Sequence, residues 1–229
     1  YQLATLQGVP LFHVTGSHAV MLSCYRAQRK LVCMYKWDAN FAAELIDREK
    51  IASFVGPAAM TGDLVEISKT TDFDLSSLAV VGGGGAPRAP DQVKNIGTAF
   101  GNALPNTGWG MTETNAIGTG IGGHDYLDHP DSAGRAATIV DVRIADEEGN
   151  EMPTGERGEV QIKGATLFEG YWNRPDANAE AMTGDWLQTG DVGFFNEEGY
   201  LYIVDRIKDL VIRGGENIGC AEVEAALLE

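Results

Sequence analysis

The rhythm of apolar and polar positions changes once along this chain. In the first hundred residues, compact apolar runs alternate with stretches of helical spacing. Residues 9–14 and Leu31-Val32-Cys33-Met34-Tyr35 form short apolar runs, residues 51–55 form another that Gly56-Pro57 stops, and Leu78-Ala79-Val80-Val81 runs into four glycines. Between them, residues 18–27, the trio Phe41, Leu45 and Ile46 behind the cap candidate Asp38, residues 58–68, and Val93, Ile96 and Phe100 have the spacing of helix faces. Continuous apolar strands separated by helices predict parallel βαβ units, because such strands are buried on both faces. After about Ala133 the pattern becomes alternation, in Val140, Val142 and Ile144 and again in residues 158–163. Phe194-Phe195, a turn at Asn196-Glu197-Glu198-Gly199 and then Tyr200-Leu201-Tyr202-Ile203-Val204 read as an antiparallel hairpin. The pattern turns mixed again near residues 206–209, and residues 222–228 are helical in spacing. The fold class expected is α/β: parallel βαβ layers followed by a β-rich subdomain.

Composition narrows the function. Of 229 residues, 33 are acidic and 17 basic, a formal net charge of −16. A nucleic-acid partner is disfavoured, since phosphate-backbone binding needs a basic face. A binder of anionic ligands must build local positive potential inside this acidic shell. Glycine, at 29 residues, is nearly twice its ordinary share and clusters at 82–85, 108–123 and 214–215. Clustered glycine means tight turns or close backbone approach to a ligand. The three cysteines, Cys24, Cys33 and Cys220, form no disulfide framework and no zinc pair, and read as idle thiols of a reducing compartment. No apolar run reaches the ~18 residues of a transmembrane segment. The chain opens at Tyr1 and closes within a helical pattern, so a piece of a longer protein is expected.

Single motifs are weak. Gly82-Gly83-Gly84-Gly85 follows a strand but ends in Ala86-Pro87-Arg88, so it is neither a P-loop nor a dinucleotide fingerprint. A plain turn or a ligand crevice at a strand end both fit it. Thr107-Gly108-Trp109-Gly110-Met111-Thr112-Glu113-Thr114 suits a base stacked on Trp109, a hydroxyl to a phosphate and a carboxylate on Mg²⁺. It equally suits a helix start capped by Thr112. Thr189-Gly190-Asp191 is a turn or a ribose-diol acceptor. The charged run 204–209 reads most simply as a solvated turn. His13 reads as a packing histidine, Lys36 as an exposed lysine at a strand end, and Tyr171-Trp172-Asn173-Arg174-Pro175 as packing and turning.

Their order is specific. Pro10-Leu11-Phe12-His13, Gly84-Gly85-Ala86-Pro87, Gly108-Trp109-Gly110-Met111-Thr112-Glu113, Gly155-Glu156-Arg157-Gly158, Gly170-Tyr171-Trp172, Thr189-Gly190-Asp191 and the stretch 199–216 follow one another from end to end. The series resembles the adenylate-forming superfamily: acyl-CoA synthetases, luciferases and peptide-synthetase adenylation domains. The resemblance implies an ATP-dependent, AMP-forming acid–thiol ligase using ATP, Mg²⁺ and CoA. It divides the chain into 1–132, the α/β part of a large domain; 133–205, its β-rich subdomain; and 206–229, a hinge and the truncated start of a small, mobile α+β domain.

The roles implied by the resemblance are specific. Trp109 would stack on adenine, Thr112 touch the α-phosphate and Glu113 hold Mg²⁺. Gly83, Gly84, Gly85, Ala86 and Pro87, with Thr107, Gly108, Gly110 and Met111, would line the nucleotide. Asp191 would take the ribose hydroxyls with help from Arg206, and Lys208 would sit at the hinge. Lys36, Gly214 and Gly215 would serve CoA. His13 would gate the acyl carboxylate, with Gly84, Met111, Ala116 and Ile117 along the acyl pocket. His13 stands where amino-acid-activating relatives carry an Asp, and the small, apolar residues after Thr114 favour a medium- or long-chain fatty acid. The family's phosphate-gripping loop would precede Tyr1 and its adenylating Lys would lie past Glu229. Two other readings stay open: an acyl-AMP ligase that serves a carrier protein, and a truncated, non-catalytic adenylate-binding module. A cytoplasmic protein is expected. An exposed apolar helix face at 222–228 would favour aggregation or a homodimer.

Overall fold

The computed structural model describes residues 2–84, 90–101, 103–208, 211–213 and 216–218. Its first half is a seven-stranded sheet in the spatial order β2-β1-β3-β4-β5-β6-β7. Strands β1 (Ala4–Gln7), β2 (Lys30–Cys33), β3 (Ile51–Val55), β4 (Val80–Gly84) and β5 (Leu104–Trp109) are parallel, and β6 (Thr119–Gly122) and β7 (Arg135–Ala136) add antiparallel to that edge. The parallel part is the βαβ arrangement that the apolar runs predict. Three helices, α2 (Ala39–Glu49), α3 (Ala58–Ser68) and α4 (Pro90–Phe100), connect strands β2 to β5.

Local chemistry explains the connectors. Asp38 sits in extended conformation and its carboxylate accepts the Phe41 amide at 2.8 Å, satisfying one orphan donor of α2. Lys50 ends α2 in the left-handed region at φ 48°, a conformation that costs an L residue energy but turns the chain straight into β3. Ala42, Ala43, Leu45 and Ile46 bury one face of α2 against Leu6, Phe54 and Val81 of the sheet. Thr5 and Ser53, both buried, satisfy each other's hydroxyls across β1 and β3 at 2.8 Å.

The second half is an antiparallel sheet, β10-β11-β9-β8, with β12 added on β11. Its strands are β8 (Val140–Ala145), β9 (Gly158–Gly164), β10 (Met182–Thr183), β11 (Trp186–Phe195) and β12 (Leu201–Arg206). The hairpin β11–β12 turns where the sequence predicts, with the Asn196 carboxamide oxygen accepting the amides of Glu198 and Tyr200. A short ribbon, β13 (Val211–Arg213) and β14 (Glu216–Ile218), follows. One of the places where the two sheets are stitched is Leu201. Leu201 donates its amide to Gly134 and accepts from Ala133, each at 2.8 Å, and the Ser132 hydroxyl also donates to the Leu201 carbonyl at 3.0 Å.

Several elements differ from the sequence expectation. The first strand is Ala4–Gln7, upstream of the apolar run at 9–14. The helix expected at 18–27 starts at Thr15, with π geometry over Thr15–Leu22 before α1 (Ser23–Arg26). Strand β5 contains Pro105 and Gly108, residues that argue against a central strand. It is held as one by β4 on one side and β6 on the other. The short helices α5 (His124–Asp128) and α6 (Pro175–Ala181) carry too few periodic residues to be read in advance. The helical spacing at 222–228 lies outside the described residues.

Ile162 is fully buried beside Val140 and Leu187, so Ile162→Ala should cost about 2–5 kcal/mol in chemical denaturation. Trp172 is 90% exposed, and its replacement by Ala should stay within about 0.5 kcal/mol.

Candidate functional site

The glycine strand end and the Trp109 segment are neighbours. The register pairs Gly82 with Asn106, Gly83 with Thr107 and Gly84 with Gly108, at the carboxyl ends of parallel β4 and β5. In open α/β sheets ligands gather at such ends, where backbone groups are bare. The Thr107 hydroxyl lies 3.5 Å from the Gly83 carbonyl. Trp109 closes β5 and pairs with Thr119. A β-carbon on Gly118 would come within 2.7 Å of the Trp109 ring, so glycine there leaves the indole its place.

Beyond Trp109 the chain does not begin an α-helix capped by Thr112. It makes one 3₁₀ turn, Thr112–Thr114, and Met111 occupies the cap position. The buried Thr114 hydroxyl accepts the Met111 amide at 3.0 Å and closes the turn. Asn115 and Ala116 then both adopt positive φ, 53° and 66°. For Ala116 this is strain, of the kind that collects at functional sites. The turn leaves Thr112 exposed and Glu113 half-buried, side by side.

Residues 166–171 clasp that turn from the other sheet. Phe168 donates its amide to the Glu113 carbonyl at 2.8 Å, and the Asn115 carboxamide donates to the Thr166 carbonyl at 2.8 Å. The Tyr171 hydroxyl donates to Glu113 Oε1 at 2.7 Å. Sequence reading assigned Tyr171 to packing and turning. Its partner stands 58 residues away, and no local pattern signals such a contact. The Glu113 carboxylate and partial burial push the Tyr171 phenol up to about 12.

Asp191 comes in from the β-rich half. On β11 the pairing with β9 jumps from Gln188 opposite Gln161 to Val192 opposite Glu159. Two extra residues are accommodated there, and Thr189-Gly190-Asp191 bulges out. Gly190 has φ 72°, which glycine supplies at no steric cost. Its amide donates to Glu159 at 3.0 Å. Asp191 is only 8% exposed, yet Trp109 Nε1 donates to its Oδ2 at 2.7 Å and Arg206 Nε stands 3.4 Å from its Oδ1. Burial raises the Asp191 carboxyl above its ordinary value, while the Trp109 hydrogen bond and the Arg206 charge oppose that rise. Within the charged run, residues 205–206 are thus no freely solvated turn: Asp205 is buried and Arg206 reaches Asp191.

An open cleft of about 580 Å³ adjoins these groups, with Tyr171, Arg206, Lys208, Arg174 and Glu159 on its walls. Glu180 also lines it, and Arg174 is already paired with Asp176 at 2.8 Å. Met111 and Ile117 pack half-buried against Val140, Ile162 and Leu187. His13 is exposed, with its ring 4.8 Å from that of Phe12, and Lys36 is exposed. Among the described residues no hydrogen bond or ion pair joins the His13 or Lys36 side chain to the Trp109–Asp191 group. Gly85, Ala86, Pro87, Gly214 and Gly215 lie outside the described residues. No group of three or more His, Cys, Asp or Glu among the described residues could hold a metal unaided. That fits Mg²⁺ brought in on phosphates, since Mg²⁺ needs only one or two protein carboxylates and keeps its waters. Tyr171 engages one carboxylate oxygen of Glu113, Oε1, and leaves the other. Also among the described residues, no helix is long and apolar enough to cross a membrane.

Two outcomes follow from the strained turn and its clasp. Ala116→Gly should stabilise the protein by up to about 1 kcal/mol in thermal denaturation, because glycine relieves the left-handed strain. In an alkaline titration followed by phenolate absorbance, one tyrosine should titrate with a midpoint near 12 and vanish in Tyr171→Phe. Because that pKa is raised in the folded state, its stabilisation is complete below the ordinary tyrosine value of 10.0 and is lost as pH climbs toward 12.

Comparison with known proteins gives the family. The chain matches the model of the AMP-binding enzyme family over residues 2–172. It is 35% identical over 228 residues to the long-chain-fatty-acid–CoA ligase FadD13 of Mycobacterium tuberculosis, covering 100% of this chain and 44% of that one. It is 33% identical to 4-coumarate–CoA ligase 1 of Arabidopsis thaliana, over 96% of this chain and 40% of that one. The fold superposes on the O-succinylbenzoate coenzyme A synthetase of Bacillus subtilis, solved with ATP and a magnesium ion, with TM-score 0.88 and 28% identity, over 100% of this chain and 46% of that one. The chain therefore spans less than half the length of these relatives. Within that span, the chain belongs to the AMP-binding enzyme family, the adenylate-forming enzymes.

Proposed function

We propose that the full-length protein containing this chain is an AMP-forming acid–CoA ligase. The observation that carries the reading is the contact of Trp109, at the end of the strand that runs into the Thr112–Thr114 turn, with Asp191, 82 residues further on and flanked by Arg206. An aromatic face, a hydroxyl, a carboxylate and a buried carboxylate beside an arginine are the groups that base, phosphate, Mg²⁺ and ribose diol each require. In the first step a carboxylate oxygen attacks the α-phosphorus of ATP, and the bond to pyrophosphate breaks. In the second a thiolate attacks the acyl carbon, the bond to AMP breaks, and the thiol proton is released.

The assigned roles follow the chemistry of the groups. Trp109 offers its face to adenine, and the backbone of Gly83, Gly84, Thr107, Gly108, Gly110 and Met111 borders the nucleotide, with Gly85, Ala86 and Pro87 continuing that border. Thr112 donates to the α-phosphate. Glu113 holds Mg²⁺, which neutralises phosphate charge when bound. Asp191 accepts from the ribose hydroxyls, with Arg206 beside it. Lys36, Gly214 and Gly215 contact CoA, Lys208 is the hinge between a large domain ending near 205 and a small one beyond, and His13, Gly84, Ala116 and Ile117 border the acid. The substrate class proposed is a medium- or long-chain fatty acid. Relatives named for fatty and for aromatic acids stand at similar identity, so an acid panel decides this point. A reaction that consumes ATP and CoA, and a free exposed Cys33 thiol, support a cytoplasmic setting. Self-association into a homodimer belongs to the same proposal.

The test is ATP–pyrophosphate exchange by the full-length protein across fatty, coumaric and succinylbenzoic acids, followed by CoA-dependent AMP release. Exchange stimulated by aliphatic acids is expected. Glu113→Gln should lower exchange by on the order of 10²–10³ while the fold persists. Stimulation by aromatic acids alone would overturn the fatty-acid assignment, and AMP binding without any exchange would overturn the ligase.

A further inference from the structure

Asp191 is held at its backbone from one side and at its buried carboxylate from the other. From the β9 side, the Asp191 amide donates to Thr189 Oγ1 at 3.1 Å, and that hydroxyl donates to the Val160 carbonyl at 2.6 Å. From the β5 side, the Trp109 indole N–H reaches Oδ2 at 2.7 Å. Arg206, opposite Asp191 in the β11–β12 register, faces Oδ1 at 3.4 Å but is itself largely exposed. The indole is thus the short, sheltered contact to the carboxylate, and the arginine the loose one. An ionised carboxylate has about four lone-pair positions. With Trp109 and Arg206 each using one, a lone pair remains on each oxygen for two vicinal hydroxyls.

Many aromatic side chains can give a flat face to a base. Phenylalanine gives the face and no donor, and only a donor at this reach fixes the rotation of the Asp191 carboxylate. We propose that Trp109 is a positioning residue for Asp191: its indole N–H sets the carboxylate for a ribose 2′,3′-diol, so that base and sugar recognition are coupled through one side chain. The inference rests on the reading of Asp191 as the ribose acceptor.

The experiment is calorimetric binding of AMP and of 2′,3′-dideoxy-AMP to the full-length protein and its variants. The wild type should prefer AMP. Trp109→Phe should lower that preference by about tenfold, the weight of one hydrogen bond to a charged group, whatever the change in affinity common to both ligands. Asp191→Asn should abolish the preference, and adding Trp109→Phe to it should reduce the preference no further. Equal weakening of both nucleotides by Trp109→Phe would overturn the proposal and leave Trp109 a stacking face alone. A wild type that binds both nucleotides equally, or neither, would overturn the ribose reading itself, a different failure. Should Trp109→Phe not fold, the decision is read from the indole N–H resonances of the full-length wild type, of which this chain supplies four. Asp191→Asn should move one of them upfield, and that same resonance should respond to AMP more than to the dideoxy nucleotide. No moved indole resonance would overturn the proposal.

Discussion

A carboxylate that is almost wholly buried must be paired, and the pairing of Asp191 organises the functional half of this molecule. Its partners come from both sheets: Trp109 from the end of a parallel strand, Arg206 from the end of an antiparallel hairpin. The indole can reach only because β5 is fixed between β4 and β6, and because Gly118 leaves its ring room. Asp191 can meet it only because β11 bulges away from β9 at that height. Trp109 also packs against both apolar clusters of the antiparallel sheet. Packing and electrostatics therefore point the same way at the join of the two sheets.

The charge around that join is mixed. The chain as a whole carries a net charge of −16. Arg174, Arg206 and Lys208 stand on the cleft beside Asp191 together with Glu159 and Glu180, and Arg174 is already paired with Asp176. The acidity of the chain is moderated there rather than reversed.

Much of the scaffold was legible in the sequence, and the reasons are local. The run Ile51–Val55, the Asp38 cap and the alternation in Val140–Ala145 each state their structure within a few residues. The members of the candidate site were legible as an ordered series of motifs, while the bonds between them were not. Trp109 to Asp191 and Tyr171 to Glu113 join residues 82 and 58 apart, and nothing near either residue announces its partner. Strand β5 was hidden for the opposite reason. Pro105 and Gly108 speak against a strand locally, and the neighbouring strands overrule them. The π turns over Thr15–Leu22 and the paired left-handed residues Asn115 and Ala116 are likewise products of tertiary context.

The bulge on β11 has an arithmetic of its own. It inserts two residues, an even number, so the alternation of faces resumes in phase beyond it: Leu187 lies opposite Ile162 before it, and Gly193 opposite Gly158 after it. A one-residue offset stands on the other side of the same strand, where β12 slips against β11 between Val192 and Gly193. The Thr189-Gly190-Asp191 protrusion therefore carries Asp191 out to Trp109 while the pairing on either side of it keeps both ends of β11 in the sheet.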